Sequence, residues 1–385
     1  MISICGEVKT MSGKTAVLYA TCYLDVSGVT KINFDILKNL KQAGFDIHVC
    51  VTDDDSHLIN NWDLFFHLYI KKPFKLRRST GPLFDVFCDY LDKNNISCIY
   101  NTHSLWLYEQ SGMLKKRFPH LKIVDSLHVL EPYCFRGGYP DISANRHIHQ
   151  NIDRSILISE DLKKHIINNY DVDLAKLCVV RNGIDTDKFR QQECYKDKFK
   201  QELGLNRDDK LIGFVGRLTH QKRPLLFLET ALSIAKSEKN SYFYMIGDGE
   251  LCSSVTAFIA GNKLQRRVFH FGQRNDIDFV FNSTDILMQP SAYEGAPLTI
   301  LEALATGVTV VSSDVGAIRE YVGQCSVLVP RTSEAIESEL FFAEVLAKLD
   351  SPADPEHGCR YVRENYDLKI TSQQYQQILL DVLSG

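Results

Sequence analysis

Two acids at helical spacing and two cations behind a strand are the residues of this chain best placed to do chemistry. Glu294 and Glu302 stand eight positions apart in Tyr293-Glu294-Gly295-Ala296-Pro297-Leu298-Thr299-Ile300-Leu301-Glu302-Ala303. The apolar run at 285–290 before them reads as a buried strand. Gly295 permits a tight turn, and Pro297 suits a first helical position, because its ring presets φ and the N–H it lacks would be unpaired there. Leu298, Leu301 and Ala305 recur at helical spacing, and Gly307 is placed to end the helix. Glu294 is therefore expected on a loop and Glu302 on a helix, roughly two turns away at a pitch of about 5.4 Å. A helix starting at the carboxyl end of a strand offers unpaired N–H groups and the positive end of its dipole to an anion. The pattern describes a place for phosphate with an acid on either side.

Arg217 and Lys222 follow the apolar run at 211–216, a strand passing into a loop. Similar strand-then-loop runs lie at 242–249, 268–274, 285–290 and 308–312, the third leading to Glu294 and the second carrying Gln273 and Arg274. Such a βα series builds a parallel sheet, and its loops share the carboxyl edge where ligands of these sheets bind. The first half repeats the pattern. A strand at 15–20 leads through a loop containing Ser27 and Gly28 into an amphipathic helix with Ile32, Ile36, Leu37 and Leu40 on one face. Further strands are expected at 47–51, 98–101, 122–126, 155–158 and 178–180. His103 and His128 each follow one of them and should converge at one edge. His147 and His149 form a His-x-His pair whose rings would point to different sides of a helix, a poor chelate read as two surface groups. The expected fold is α/β: two Rossmann-like doubly wound parallel-sheet domains, the first at 1–184 and the second at 185–365. A helix at 366–385 is expected to cross back to the first.

Composition narrows the function classes. The 385 residues carry 44% hydrophobic and 24% charged side chains and a formal net charge of −4, which excludes a disordered tail or a nucleic-acid surface built from bulk charge. The 11 cysteines form no CxxC pair, so neither a disulfide framework nor a zinc module is supported and a reducing cytosol fits. No apolar run approaches the roughly 20 residues that span a bilayer, so membrane association should be peripheral, at the inner face of the plasma membrane. The cations Lys71, Lys72, Lys75, Arg77 and Arg78 are either a solvated loop or a contact with anionic lipid headgroups. Asp53-Asp54-Asp55 reads as a solvated turn or a weak divalent-cation site, with nothing nearby to complete an oxygen shell. Ser12-Gly13-Lys14-Thr15 is no phosphate loop, because Val8 stands where the first glycine belongs and the strand follows the motif.

The second half resembles the nucleotide-binding domain of the retaining glycosyltransferases with two facing Rossmann-like domains, the GT-B architecture, of the family-four, group-one type. The likeness rests on Glu294-x7-Glu302, Gly216-Arg217-Leu218-x-x-x-Lys222, Gly247-Asp248-Gly249-Glu250, Phe271-Gly272-Gln273-Arg274 and Asp314-Val315-Gly316. In the first half it rests on Ser27-Gly28-Val29, His128, Ser159-Glu160 and the Arg181–Asp185 turn at 181–185. The resemblance implies a crevice between the domains that takes a UDP- or GDP-sugar and a glycan or lipid-linked acceptor, for cell-surface polysaccharide or glycolipid synthesis. It implies that Arg217 and Lys222 clamp the diphosphate without a metal, assisted by the backbone of Gly216 and the amides of Ala296, Leu298 and Thr299. Glu302 would hold the ribose, Glu294 the donor sugar, and the Gln273-Arg274 loop the base. His128 would contact the sugar, and Gly28 would let backbone approach the phosphate side. Two departures stand out: Ala296-Pro297 replaces the family's usual Phe-Gly, removing an aromatic ring and one N–H, and Ser27-Gly28 replaces Gly-Gly. A nucleotide-sugar epimerase or phosphorylase, or a non-catalytic nucleotide-sugar-binding protein, are the competing readings of the same fold.

Overall fold

The computed structural model describes residues 15–22, 28–52, 74–76, 82–102, 104–128 and 146–385. Ser27, Asp53 to Asp55, Lys71, Lys72, Arg77, Arg78 and His103 lie outside them, as does the stretch before Thr15.

Thirteen strands are described, all in parallel pairings. β1 (Ala16–Thr21), β2 (Asp46–Val51), β3 (Phe74–Lys75), β4 (Ile96–Thr102), β5 (Lys122–Leu127), β6 (Arg154–Leu157) and β7 (Leu177–Val179) form one sheet in the order β3-β2-β1-β4-β5-β6-β7. β8 (Lys210–Val215), β9 (Ser241–Ile246), β10 (Val268–His270), β11 (Ile286–Gln289), β12 (Thr309–Ser313) and β13 (Ser326–Val329) form the other, in the order β10-β9-β8-β11-β12-β13. In each sheet the strand order reverses once, between β1 and β4 and between β8 and β11. That reversal opens the crevice at which ligands of open α/β sheets bind.

The strands read as continuous apolar runs because helices cover both faces. In the second sheet Leu211 and Val215 of β8 pack on one side with Tyr244, Ile246, Leu287 and Val310. Ile212 and Phe214 pack on the other with Phe243, Met245, Met288 and Val311. Gly213 interrupts β8 for a reason: a Cβ there would lie 2.2 Å from the ring of Tyr244, whose hydroxyl meets Thr284 Oγ1 at 2.9 Å.

The chain divides into two compact units: Met1–Leu157, Lys163–Val180 and Ser372–Gly385 in the first, Ile158–Leu162 and Arg181–Thr371 in the second. In this division the chain passes for the last time from the first unit to the second after Val180. Ile184 is already tied into the second unit by hydrogen bonds to Tyr366 and Leu368, both 2.8 Å. The last segment packs on the first unit: Ser372 accepts from Asn39 Nδ2 at 2.7 Å, and Tyr375 stands edge-on to Tyr100 with centroids 5.8 Å apart. β13 has no counterpart among the strands expected from sequence. The nine described cysteines are free, and no described helix is long and apolar enough to cross a membrane.

Candidate active site

The loop after β8, residues 216–223, leads into the helix Pro224–Ser237. It is pinned to the loop after β9 by hydrogen bonds from Gly216 N–H to the Ile246 carbonyl and from Leu218 N–H to the Asp248 carbonyl, each 2.9 Å. Gly247, at φ 140°, makes this approach possible, since a Cβ there would lie 1.9 Å from the Gly216 oxygen. The same loop is zipped to the one after β11. Ala292 N–H donates to the Gln221 carbonyl at 2.7 Å, and Gln221 Nε2 donates to the Tyr293 carbonyl at 3.1 Å. Gln221 Oε1 in turn accepts from Arg217 Nη2 at 3.1 Å, orienting an otherwise exposed guanidinium.

This zipping brings Lys222 Nζ to 2.5 Å from Glu294 Oε1, with side-chain exposures of 17% and 6%. Glu294 Oε1 also accepts from Ser291 Oγ at 2.6 Å, and Ser291 from Gln289 Nε2 at 3.1 Å. A carboxylate this buried persists because it is paired and hydrogen-bonded. Its backbone is fixed from β12: Gly316 stands at φ 53°, and a Cβ on it would fall 2.0 Å from the Glu294 carbonyl oxygen. Only glycine combines that left-handed backbone with so close an approach.

Pro297 does not open the helix as its sequence position suggests. Its φ of −85° and ψ of 65° are those of an inverse γ-turn, closed by Leu298 N–H on the Ala296 carbonyl at 3.0 Å. The helix is Leu298–Ala305, with Pro297 as its N-cap. The amide of Leu298, expected to face an anion, is therefore spent inside the turn. Those of Ala296 and Thr299 have no backbone acceptor among the described residues. Glu302 lies in this helix and is 7% exposed.

Arg274 also differs from expectation. Its guanidinium is held by Asp276 through two bonds of 2.9 and 2.7 Å and by Glu202 at 2.8 Å, and it sits over the rings of Phe199 and Phe271. The hydrogen bonds to Asp276 and Glu202 push its pKa up despite partial burial. Its charge is internally matched, while its neighbour Gln273 is exposed.

In the first unit His128 directly follows β5 and is 2% exposed. Its Nε2 lies 3.0 Å from Ser126 Oγ and 3.4 Å from Asn33 Nδ2. Asn33 Oδ1 accepts from the Tyr100 hydroxyl, so the amide nitrogen faces the histidine. Ser126 and Asn33 thus hold the ring through its Nε2 edge. Asn33 belongs to the helix Gly28–Gln42, whose first residue is the exposed Gly28. Of the His-x-His pair, His147 is exposed beside Asp171, but His149 is buried, 3.3 Å from Asp125, which also accepts from the Tyr108 hydroxyl. His149 is thus a core group, not a surface one.

The structure gathers Gly216, Arg217, Lys222 and Glu294 on two facing loops at the β8/β11 reversal. Sequence reasoning missed Gln221 and Ser291, which orient them; Ser291, a hydroxyl three residues before Glu294, was the available signal. It also missed Arg223, which takes a left-handed backbone, φ 52°, at a usual cost of about 1–2 kcal/mol for a residue with a Cβ.

The model for Glycosyltransferase Family 4 matches residues 26–188, and that for Glycosyl transferases group 1 matches residues 195–341. The Escherichia coli UDP-Gal:alpha-D-GlcNAc-diphosphoundecaprenol alpha-1,3-galactosyltransferase is 35% identical over 165 residues, 42% of this chain and 43% of that enzyme. An uncharacterised glycosyltransferase of Methanocaldococcus jannaschii is 27% identical over 56% of this chain and 58% of its own length, so the chain spans about half of these relatives. The solved structure of Anabaena Alr3699/HepE in complex with UDP superposes with a TM-score of 0.80 at 17% identity, covering 95% of this chain and 100% of that one. Family models on both halves, the two doubly wound sheets and that full-length superposition agree: the chain belongs to the glycosyltransferases of the GT-B architecture.

Proposed function

We propose that this chain transfers a sugar from a UDP-sugar to a glycan or lipid-linked acceptor, with retention of configuration at the transferred carbon and without a metal ion. The observation that carries the reading is the Lys222–Glu294 pair, 2.5 Å apart at the carboxyl edge where the second sheet reverses. A cation and an acid held together there suit the two parts of a nucleotide-sugar, a charged diphosphate and neutral hydroxyls.

In this reading Arg217 and Lys222 meet the charge that builds on the diphosphate, with the amides of Ala296 and Thr299 as further donors; the expected amide of Gly216 is already bonded to the Ile246 carbonyl. Glu294 accepts from donor-sugar hydroxyls and Glu302 from the ribose, while the loop at Gln273 lies against the base. His128 and Gly28 are assigned to the sugar and phosphate sides. The bond from C1 to the diphosphate oxygen breaks and its electron pair leaves with UDP. The acceptor oxygen bonds to C1 on the same face, and its proton passes to the departing phosphate. No described residue is assigned as a covalent nucleophile: Glu294, held by Lys222 and Ser291, is assigned to the sugar hydroxyls. Losing one such electrostatic contact costs on the order of 10²–10³ in rate. Synthesis of a surface polysaccharide or glycolipid, at the inner face of a membrane reached through Lys71, Lys72, Lys75, Arg77 and Arg78, belongs to the same proposal.

The name of the E. coli relative supplies the first substrates to try. UDP-galactose and UDP-glucose are incubated with GlcNAc-diphosphoundecaprenol, and released UDP and the anomeric configuration of the product are measured. The reading expects UDP release that needs the acceptor and an α-linked product from the α-linked donor. Sugar interconversion without UDP release would establish an epimerase, and an inverted product would remove the same-face step.

A further inference from the structure

We infer that Arg223 and Glu337 are positioning residues of the donor site and act through Lys222; the inference rests on the reading that Lys222 meets the diphosphate. Lys222 and Arg223 are adjacent, yet their side chains enter opposite surroundings. Lys222 lies against Glu294. Arg223 is 7% exposed and donates through Nη1 to the carboxylate of Glu337, itself 1% exposed. The left-handed backbone of Arg223, φ 52° and ψ 54°, is the turn that sends them apart just before the helix Pro224–Ser237.

Glycine would adopt that backbone freely, so the arginine side chain has to contribute something that the turn alone does not need. It ties together three segments. Its Nη1 lies 3.5 Å from the Pro290 carbonyl, on the loop that carries Ser291 and Glu294. Glu337 sits on the helix Glu334–Asp350 and is already held by Arg331 Nη1 at 2.7 Å and by Thr332 N–H at 2.7 Å. That helix packs against β11 and β12. The guanidinium therefore fastens the end of one catalytic loop and the start of the other to a carboxylate fixed independently of both. Arg223 touches no part of the proposed donor; it sets where the ammonium of its neighbour can stand. Glu337 is the anchor, because a buried carboxylate with three donors has little freedom to move.

The test is a double-mutant cycle on UDP affinity, measured by calorimetry with the whole chain. Arg223→Gly keeps the left-handed turn and removes the guanidinium. In the otherwise unchanged protein it is expected to weaken UDP by roughly tenfold, and in the Lys222→Ala background by less than about twofold, because no ammonium remains to be misplaced. Equal losses in both backgrounds, or no loss in the first, would overturn the inference. Should Arg223→Gly fold poorly, Glu337→Gln runs the same cycle with the same criteria, and Arg223→Lys should recover only part of the affinity, since an ammonium cannot span both Pro290 and Glu337. If Lys222→Ala itself binds UDP as the wild type does, the phosphate reading falls and takes this inference with it. If Lys222→Ala weakens binding and Arg223→Gly does not, the positioning role alone falls.

Discussion

Replacing Lys222 by alanine has two separable consequences, and their magnitudes can be worked from the geometry. The first is structural. Glu294 Oε1 loses the ammonium at 2.5 Å and keeps Ser291 Oγ at 2.6 Å. A largely buried carboxylate left with reduced pairing destabilises the fold by about 1–3 kcal/mol. The lower half of that range applies, because Lys222 is 17% exposed and water can enter behind it. The second is functional: one cation fewer on the departing diphosphate lowers turnover by about 10²–10³, or ~2.7–4 kcal/mol. Adding Glu294→Gln to Lys222→Ala removes the stranded charge, so the double variant should regain most of the lost stability and none of the turnover. Chemical denaturation reads the first effect, and acceptor-dependent UDP release reads the second. Wild-type turnover in Lys222→Ala would refute the phosphate role. Recovery of turnover together with stability in the double variant would also refute it, because the stranded acid, not the missing cation, would then be the cause.

Gly316→Ala should lower turnover with little change in UDP affinity, since a Cβ 2.0 Å from the Glu294 carbonyl must displace that acid and not the cations; steady-state kinetics beside calorimetry checks the split. Burial pushes the Glu337 carboxyl up, but hydrogen bonds from Arg223 and Thr332 and the charges of Arg223 and Arg331 outweigh it and hold its pKa below the ordinary value. A depressed folded-state value means stability present above the unfolded pKa of about 4.3 and lost as pH falls through the folded one. Thermal melts of wild type and Glu337→Gln should therefore differ most near neutrality and converge on acidification; a gap independent of pH would count against the pair. Transfer should persist in excess chelator, and loss restored by Mg²⁺ would return attention to Asp53, Asp54 and Asp55.

Much of this was legible because it is written in local pattern. Short apolar runs ending in loops gave the order of the βα units, and Glu294 and Lys222 each fall where such a loop turns. What escaped depends on partners distant in the chain. Arg274 looked available for a ligand until Glu202, 72 residues away, and two aromatic rings closed around it. The burial of His149 depends on Asp125, and the pairing of Arg223 on Glu337, 114 positions on. Pro297 failed for another reason. Fixed φ is compatible with both a first helical turn and an inverse γ-turn, and ψ, which decides between them, is set here by the Leu298–Ala296 bond. β13 was missed although Val327, Leu328 and Val329 are apolar; it is a four-residue strand at the sheet edge, partly buried along most of its length.

The central claim is that the Lys222–Glu294 corner receives the diphosphate of a uridine nucleotide-sugar. Calorimetric titration of UDP into the wild type and into Arg217→Ala/Lys222→Ala tests it most directly. The account predicts saturable binding of one UDP per chain without added metal, lost in the double variant. No binding to the wild type, or equal affinity in both proteins, would contradict it.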